Sequence, residues 1–226
     1  MVAAGIAVAA QDTKIFGSGG PNIKPFCEKS RAYGTCQVVG SLTTFINRFD
    51  GKKHPFVAPS DGRIVAWAVR LGHKPSKRAP KGNPDGKSNL EFFQDTFGND
   101  KWGKGPVARL AILKRQGGVE FKLVDQSPAV KLSSSYYRRD TVITLERPMP
   151  IKEGEIVGLS SLTWIPMIKP HKAGDGKNSW RASIQKGNCD EDGILGAKPQ
   201  KKVGSVRDYG CEFSDRLFYK AYFVRD

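Results

Sequence analysis

Apolar and polar residues alternate along much of this chain with the two-residue period of a β-strand. The clearest case is the segment 63–71, whose apolar residues fall on both faces, so the pattern predicts a central strand of a sheet. The segment 217–224 alternates as regularly near the C-terminus. The apolar residues of the first segment are Ile64, Val65, Ala66, Trp67, Ala68, Val69 and Leu71.

Turn residues separate further segments of this kind, and about eight strands are predicted in all. The other strands are predicted at 37–45, 107–113, 119–123, 141–145, 155–159 and 180–184, with turns at 59–62, 116–118 and 153–154. Many short strands between turns predict an all-β fold, an antiparallel β-sandwich or jelly roll with long loops. Segment 89–97 is expected to form at most a single helical turn, or an ordered loop whose aromatic side chains tuck under the sheet.

The organisation predicted is a single β-sandwich domain at residues 35–226, because a chain of 226 residues can bury one full core. Residues 11–34 are rich in Gly, Ser, Pro and Lys and are predicted to be an irregular lead-in. Residues 72–89 carry five lysines and arginines together with prolines and glycines, which predicts a solvated basic loop.

The first ten residues are small and apolar, and they resemble the C-terminal part of a secretory signal peptide. Ala7 and Ala9 stand where signal peptidase reads small residues, so cleavage is expected after Ala9 and the mature protein outside the cell. The alternative is a merely apolar, disordered N-terminus. No other stretch approaches the roughly 20 apolar residues that span a bilayer, so no transmembrane segment is expected.

The chain has four cysteines. If the chain is exported, this even number predicts two disulfides. The pairing favoured is Cys27–Cys36 with Cys189–Cys211, since each pair closes a short loop. A zinc site is the weaker alternative, because the chain has no Cys-x-x-Cys and its three histidines lie far from the cysteines.

Charge narrows the choice of partner. The formal net charge of +15 favours encounter with anionic partners such as acidic cell-wall polymers, polysaccharides, lipid surfaces or nucleic acid. The alternative is that the charge only keeps an exported protein soluble.

Motifs for catalysis are absent from the sequence. It contains no phosphate-binding glycine loop, no Gly-x-Ser-x-Gly and no metal-binding histidine pair, so no catalytic residue, metal or cofactor is predicted. The acidic run 190–193 could bind calcium but lacks the spacing of an EF-hand, and a solvated turn is the preferred interpretation. A pair of catalytic carboxylates would leave no linear trace.

Aromatic residues beside cations are the best candidates for ligand contact. Flat aromatic faces stack on sugar rings, and neighbouring cations can hold acidic groups of the same polymer. The alternative for each is ordinary packing in the core. The candidates are Tyr136, Tyr137, Arg138, Arg139, Trp102, Trp164 and Trp180.

Several segments together resemble a group of uncharacterised secreted proteins from actinobacteria. The resemblance runs from about Cys36 to the C-terminus and implies an export signal and a β-sandwich. It implies no activity, because none is established for the group. The segments that carry it are 57–67, 108–113, 121–128, 150–159, 163–166 and 180–183.

The function expected is that of a secreted, non-catalytic module that binds a cell-wall polymer or another polysaccharide, anionic or neutral. A structural or adhesive surface protein is the first alternative. A glycan hydrolase or lyase with two carboxylates in a groove is the second. Nucleic acid is not expected as a partner, because export and the lack of a binding motif oppose it.

Overall fold

The structure is a computed structural model that describes residues 13–17, 38–79, 85–169 and 176–226. The predicted signal peptide at 1–10, the Cys27–Cys36 pair, most of the lead-in and positions 80–84 of the basic loop lie outside the described residues.

Strands dominate the described part of the chain, and they are numbered here in chain order. The first eight are β1 (Thr13–Gly17), β2 (Thr43–Phe49), β3 (Lys52–Lys53), β4 (Gly62–Arg70), β5 (Val107–Gly117), β6 (Glu120–Gln126), β7 (Val130–Lys131) and β8 (Asp140–Ile151). The others are β9 (Ile156–Ser161), β10 (Ile168–Lys169), β11 (Ser179–Ala182), β12 (Val206–Asp208), β13 (Cys211–Phe213), β14 (Arg216–Leu217) and β15 (Tyr219–Arg225). The helices are α1 (Asn89–Phe97) and α2 (Glu191–Gly196), with a 3-10 turn at Ser134–Tyr136.

These strands form two principal sheets, which confirms the all-β sandwich prediction. The small sheet has the order β1-β15-β4-β8, and β4 is central in it, as its doubly apolar pattern predicts. The large sheet has the order β12-β6-β5-β9-β2-β11-β13, with β3 beside β2 and β7 beside β5; β10 and β14 pair separately. Adjacent strands in both sheets run antiparallel.

The core lies between the two sheets and draws on both. Trp67 and Tyr219 of the small sheet and Leu110 and Leu159 of the large sheet are all less than 2% exposed and belong to one hydrophobic cluster. The buried Tyr219 hydroxyl donates to the Val157 carbonyl at 3.1 Å and accepts from the Ile46 backbone N–H at 3.3 Å. One polar group therefore links the small sheet to two strands of the large sheet without an unpaired hydroxyl.

Three predicted segments differ from what the structure shows. Part of the expected irregular lead-in is strand β1, which pairs with β15 and closes that edge of the small sheet. Strand β8 is much longer than the predicted 141–145. Helix α1 has nine residues instead of a single turn, because Ser88 and Glu91 form a capping box at its start. Its buried Phe93 packs on Trp164 in a small cluster separate from the main core, so the alternative of an ordered loop with aromatics under the sheet is not what the structure shows.

Two predicted turns are confirmed, and each contains a glycine in the left-handed region. The β5–β6 hairpin turns at Gly118, with φ of 48°, and the β8–β9 connection turns at Gly154, with φ of 80°. A second hairpin, β2–β3, turns at Asp50 and Gly51 with φ of 47° and 82°. Asp-Gly is a strong hairpin signal, and the strand prediction ending at 45 overlooked it.

Residues 183–210, called here the cover segment, connect β11 to β13 and include β12, which pairs with β6 in the large sheet. Gln200 in this segment is fully buried; its backbone N–H donates to the Thr43 hydroxyl at 2.9 Å, and its side chain accepts from the Tyr209 hydroxyl at 2.9 Å. The predicted Cys189–Cys211 disulfide is confirmed, with Cα atoms 5.4 Å apart. It ties the start of the cover segment to strand β13.

Candidate binding groove

A groove of about 600 Å³ opens along the free edge of the sandwich. One wall is strand β8, the last strand of the small sheet, and the other is the segment 125–130, where β6 passes into β7. A concavity of this size is typical of sites for ligands of several rings or residues. Trp67, a core residue, is among the residues that line it.

A large bulge in β8 shapes the first wall. Ile64 of β4 pairs with Met149, but Ala66, only two residues on, pairs with Thr144. Val65 alone therefore lies opposite four residues of β8, and these four line the groove: Leu145, Glu146, Arg147 and Pro148. Bulges re-aim side chains and are common beside functional sites. Proline, which has no N–H to donate, is compatible with a strand edge of this kind.

The opposite wall is held in place by the side chain of Ser127, which bonds to a backbone N–H of the neighbouring strand β5. Ser127 is buried, and its hydroxyl accepts from the Leu110 backbone N–H at 3.0 Å while its own N–H donates to the Leu110 carbonyl at 3.1 Å. The Asp125 carboxylate accepts from the Gln126 backbone N–H at 2.8 Å. These contacts fix the backbone where it leaves β6, and Pro128 then faces the groove.

Two polar atoms of groove-lining residues are buried without a hydrogen-bond partner among the described residues: Trp67 Nε1, a donor, and Gln126 Oε1, an acceptor. An unsatisfied buried polar group costs about 1–3 kcal/mol, and an ordered water is its usual partner. Both atoms have less than 1 Å² of accessible surface, and so does Trp180 Nε1 outside the groove, so these atoms do not by themselves mark a ligand site.

The groove is mixed in polarity and in charge. Its apolar surface comes from Val130, Ile143, Leu145, Met149 and the prolines Pro128, Pro148 and Pro150. Its charged side chains are Asp125, Glu146 and Arg147, so the groove carries none of the strong positive excess of the whole chain. Such a surface fits an uncharged ligand with apolar faces and many hydroxyl groups.

The residues Tyr136 to Arg139 lie elsewhere, beside the end of β4. The Leu71 backbone N–H donates to the Tyr136 carbonyl at 3.2 Å, and the Arg138 N–H donates to the Leu71 carbonyl at 2.8 Å. Tyr136 and Tyr137 are half-buried against the core, and burial raises the pKa of Tyr137 to about 12. Arg138 and Arg139 are exposed. The tyrosines present edges to solvent, and only the arginines are fully accessible to a polymer.

The tryptophan candidates divide into one accessible residue and two core residues. Trp102 is partly exposed, with the Lys101 ammonium 5.2 Å from its ring centroid. Trp164 is 1% exposed and donates its indole N–H to the Lys104 carbonyl at 2.9 Å. Trp180 is 4% exposed and stacks on Phe213. The interpretation of Trp164 and Trp180 as stacking platforms is therefore wrong, because their ring faces are occupied by the protein.

None of the seven predicted contact residues lines the groove, although all of them lie in the described part of the chain. Sequence reasoning placed Trp67 in the core, which is correct, but did not place its edge at a cavity. The overlooked signals are Pro148 and Pro150 inside a strand and Ser127–Pro128 at a strand end, which mark an irregular sheet edge. The meeting of these two edges has no linear pattern.

The acidic run 190–193 is the start of helix α2. The Asp190 carboxylate accepts from the Gly193 backbone N–H at 2.9 Å and caps the helix. Within the described residues, no three His, Cys, Asp or Glu side chains come together as a metal site requires.

Comparison with known proteins adds no identity to this geometry: no family model matches the chain, and no curated protein or solved structure matches it. The resemblance to secreted actinobacterial proteins stays a prediction. In the described part of the chain, neither α1 nor α2 has the length and apolar composition of a membrane-crossing helix.

Proposed function

We propose that this protein is a secreted, non-catalytic module that binds a polysaccharide, and that the groove between β8 and segment 125–130 holds the sugar chain. The observation that carries the proposal is the groove of about 600 Å³, whose two walls combine apolar surface with carboxylate, guanidinium and hydroxyl groups.

The chemistry of the walls supports this choice of ligand. Sugar rings have apolar C–H faces and a polar rim, and the groove combines proline and aliphatic surface with carboxylate, guanidinium and hydroxyl groups. The opposed charges of Asp125, Glu146 and Arg147 make the groove suited to a neutral stretch of polymer. The surplus positive charge of the remaining surface would hold the protein close to an acidic polymer such as a cell wall.

A disulfide supports an extracellular site of action, because such bonds persist in oxidising compartments. The Cys189–Cys211 disulfide closes a loop that contains most of the cover segment, so the role of this disulfide is structural. Recovery of the mature protein from culture supernatant, with a new N-terminus after Ala9, would support export; recovery only from the cell interior would refute it.

The proposal is tested by substituting Glu146, which is exposed and lines the groove. Glu146→Ala is expected to weaken binding to a cell-wall polysaccharide about tenfold, as expected when a charge-assisted hydrogen bond of about 1.5 kcal/mol is lost. Affinity electrophoresis or calorimetry with purified oligosaccharides would measure the effect.

Glu120→Ala is the matched control, because it removes the same exposed carboxylate from β6 outside the groove. Gln126→Ala should act like Glu146→Ala. Equal affinities for all variants, or no retention of the wild-type protein on cellulose, chitin, cell wall or acidic polysaccharide at low salt, would refute the groove as a sugar site.

A glycan hydrolase or lyase is the second candidate, because the groove contains two carboxylates, Asp125 and Glu146. Glycosidases place one carboxyl on each side of the scissile bond, and these two residues stand on opposite walls. If the protein cleaves glycans, new reducing ends should accumulate with time, and both Asp125→Asn and Glu146→Gln should abolish them. Binding without product release supports the non-catalytic module.

A further inference from the structure

A second concavity, called here the basin, lies against the large sheet. Its volume is about 340 Å³. Phe45 in β2, Phe121 in β6 and Ile156 in β9 line it, and none of its lining residues lines the groove.

The floor of the basin is aromatic and rigid. The rings of Phe45 and Phe121 have centroids 4.8 Å apart, and both contact Tyr209, at 5.6 and 5.2 Å. Phe45 is 2% and Phe121 is 4% exposed, so they close the bottom of the basin with apolar surface but offer no free ring face for stacking.

The rim of the basin is cationic. Arg115, Arg181 and His54 line it, together with Asn47, and no acidic side chain of the described residues does. Arg115 is exposed, and its Nε and Nη2 both donate to the Gly118 carbonyl, at 3.2 and 3.0 Å. Arg181 donates to the Tyr209 carbonyl at 3.0 Å and to the Glu212 carboxylate at 2.8 Å.

These contacts orient both guanidinium groups, but only Arg115 keeps its charge uncompensated, because Arg181 is ion-paired with Glu212. Arg115 is held by the neutral Gly118 carbonyl, and this contact does not compensate its positive charge. The carbonyl accepts from Nε and Nη2, and Nη1 takes no part in these bonds. Arg181 is anchored by Glu212, which in turn accepts from Asn47 and Ser179 at 2.7 and 2.6 Å. A pre-oriented guanidinium loses less side-chain entropy when it binds an anion.

His54 is held at the rim in a backbone conformation that few residues adopt. Its φ is 53°, in the left-handed region, which costs about 1 kcal/mol or more outside glycine. The His54 N–H donates to the Asn47 carbonyl at 2.8 Å, and its own carbonyl accepts from Val57. Backbone strain of this kind is concentrated at functional sites.

We propose that the basin is a second ligand site, which binds an acidic sugar ring through its carboxylate or sulfate group. The ring lies above the closed apolar floor, and Arg115 holds the anion with the ion-paired Arg181 beside it. This inference rests on the proposed function, because it takes the ligand to be a polysaccharide. It assigns the recognition of acidic units to the basin and of neutral units to the groove.

The test compares Arg115→Gln with Lys114→Gln. Both remove one positive charge from adjacent exposed residues of β5, but only Arg115 lines the basin. With oligogalacturonate as the probe, Arg115→Gln should weaken binding about tenfold and Lys114→Gln by less than about twofold, since a charge outside the contact acts only through screened long-range attraction. A sulfated dextran oligomer, run in parallel, shows whether carboxylate or sulfate is preferred.

Other variants and probes separate failure of the basin from failure of the groove. His54→Gln should also weaken oligogalacturonate binding, and a neutral oligosaccharide should bind the Arg115 variant as it binds the wild type. Equal weakening by the Arg115 and Lys114 substitutions would overturn the basin, leaving only general attraction to a basic surface. Loss of neutral-sugar binding in Glu146→Ala would still support the groove in that case. Arg115-dependent acidic binding with no neutral-sugar binding would refute the groove and leave the basin standing.

Discussion

Individual residues in this protein carry more than one role, and Trp67 is the clearest example. Its ring is fully buried in the core of the sandwich, yet its edge lines the groove and its Nε1 has no partner among the described residues. Its position in a doubly apolar strand predicts the burial. The alternation does not predict whether the Trp67 N–H finds a hydrogen-bond acceptor, because the acceptor of an indole N–H is a neighbour in space and not in sequence.

The N-terminus of α1 gives a prediction at the same scale. The Glu91 carboxylate accepts from the Ser88 hydroxyl at 2.7 Å and from the Ser88 backbone N–H at 2.8 Å, and these bonds hold the pKa of Glu91 below its usual 4.5. The stability that the ionised Glu91 carboxylate contributes to the fold is therefore present in full above the pKa of Glu91 in the unfolded chain. This contribution is lost as the pH falls through the lower pKa of Glu91 in the folded protein. Glu91→Gln should lower the thermal midpoint at pH 7, and the difference from the wild type should shrink below about pH 4.5.

Glu153→Gln is the control for that measurement, because Glu153 is exposed in the β8–β9 turn and caps no helix. The difference between it and the wild type should stay small at every pH. A Glu91→Gln difference that persists undiminished at pH 3 would contradict the capping-box explanation.

At the scale of elements, irregularities decide where the sites lie. The bulge in β8 turns four residues toward the groove, and the end of β6 is held open by Ser127 instead of continuing its ladder. The strands β4 and β15 were predictable because both are largely buried and their apolar residues follow the two-residue period. The length of β8 was not, because two prolines and three charged residues interrupt its pattern and read as a loop.

The cover segment is the element on which the basin depends, and its disulfide sets a second prediction. Cys189 and Cys211 are 22 residues apart, and a cross-link of that separation should stabilise the fold by about 3 kcal/mol by restricting the unfolded chain. The double substitution Cys189→Ser with Cys211→Ser should lower the free energy of unfolding by about that amount, measured by urea denaturation.

Removing the disulfide should also weaken ligand binding in the basin more than in the groove. Tyr209 and Gln200 lie within the closed loop and hold the basin floor, so the same double variant should bind oligogalacturonate more weakly while its neutral-sugar affinity changes little. An unchanged denaturation midpoint would mean that packing alone secures the segment.

At the scale of the whole molecule, the sandwich separates two surfaces of different electrostatic character. The groove has two carboxylates and one guanidinium, whereas the charged side chains that line the basin are the guanidinium groups of Arg115 and Arg181. The whole chain has a net charge of +15, and the basin shares this positive character whereas the groove does not. A polymer with neutral and acidic units could use both.

The sequence by itself determined the fold class, the central strand, the hairpin turns and one disulfide, because these follow from local alternation, turn chemistry and short loops. Only the tertiary structure decided that Trp164 and Trp180 are core residues, and that Trp67, Gln126, Asp125 and Glu146 share a groove. Alternation along one strand assigns a side chain to a face, but a site is made where two sheets meet, and no local pattern records which edges face each other.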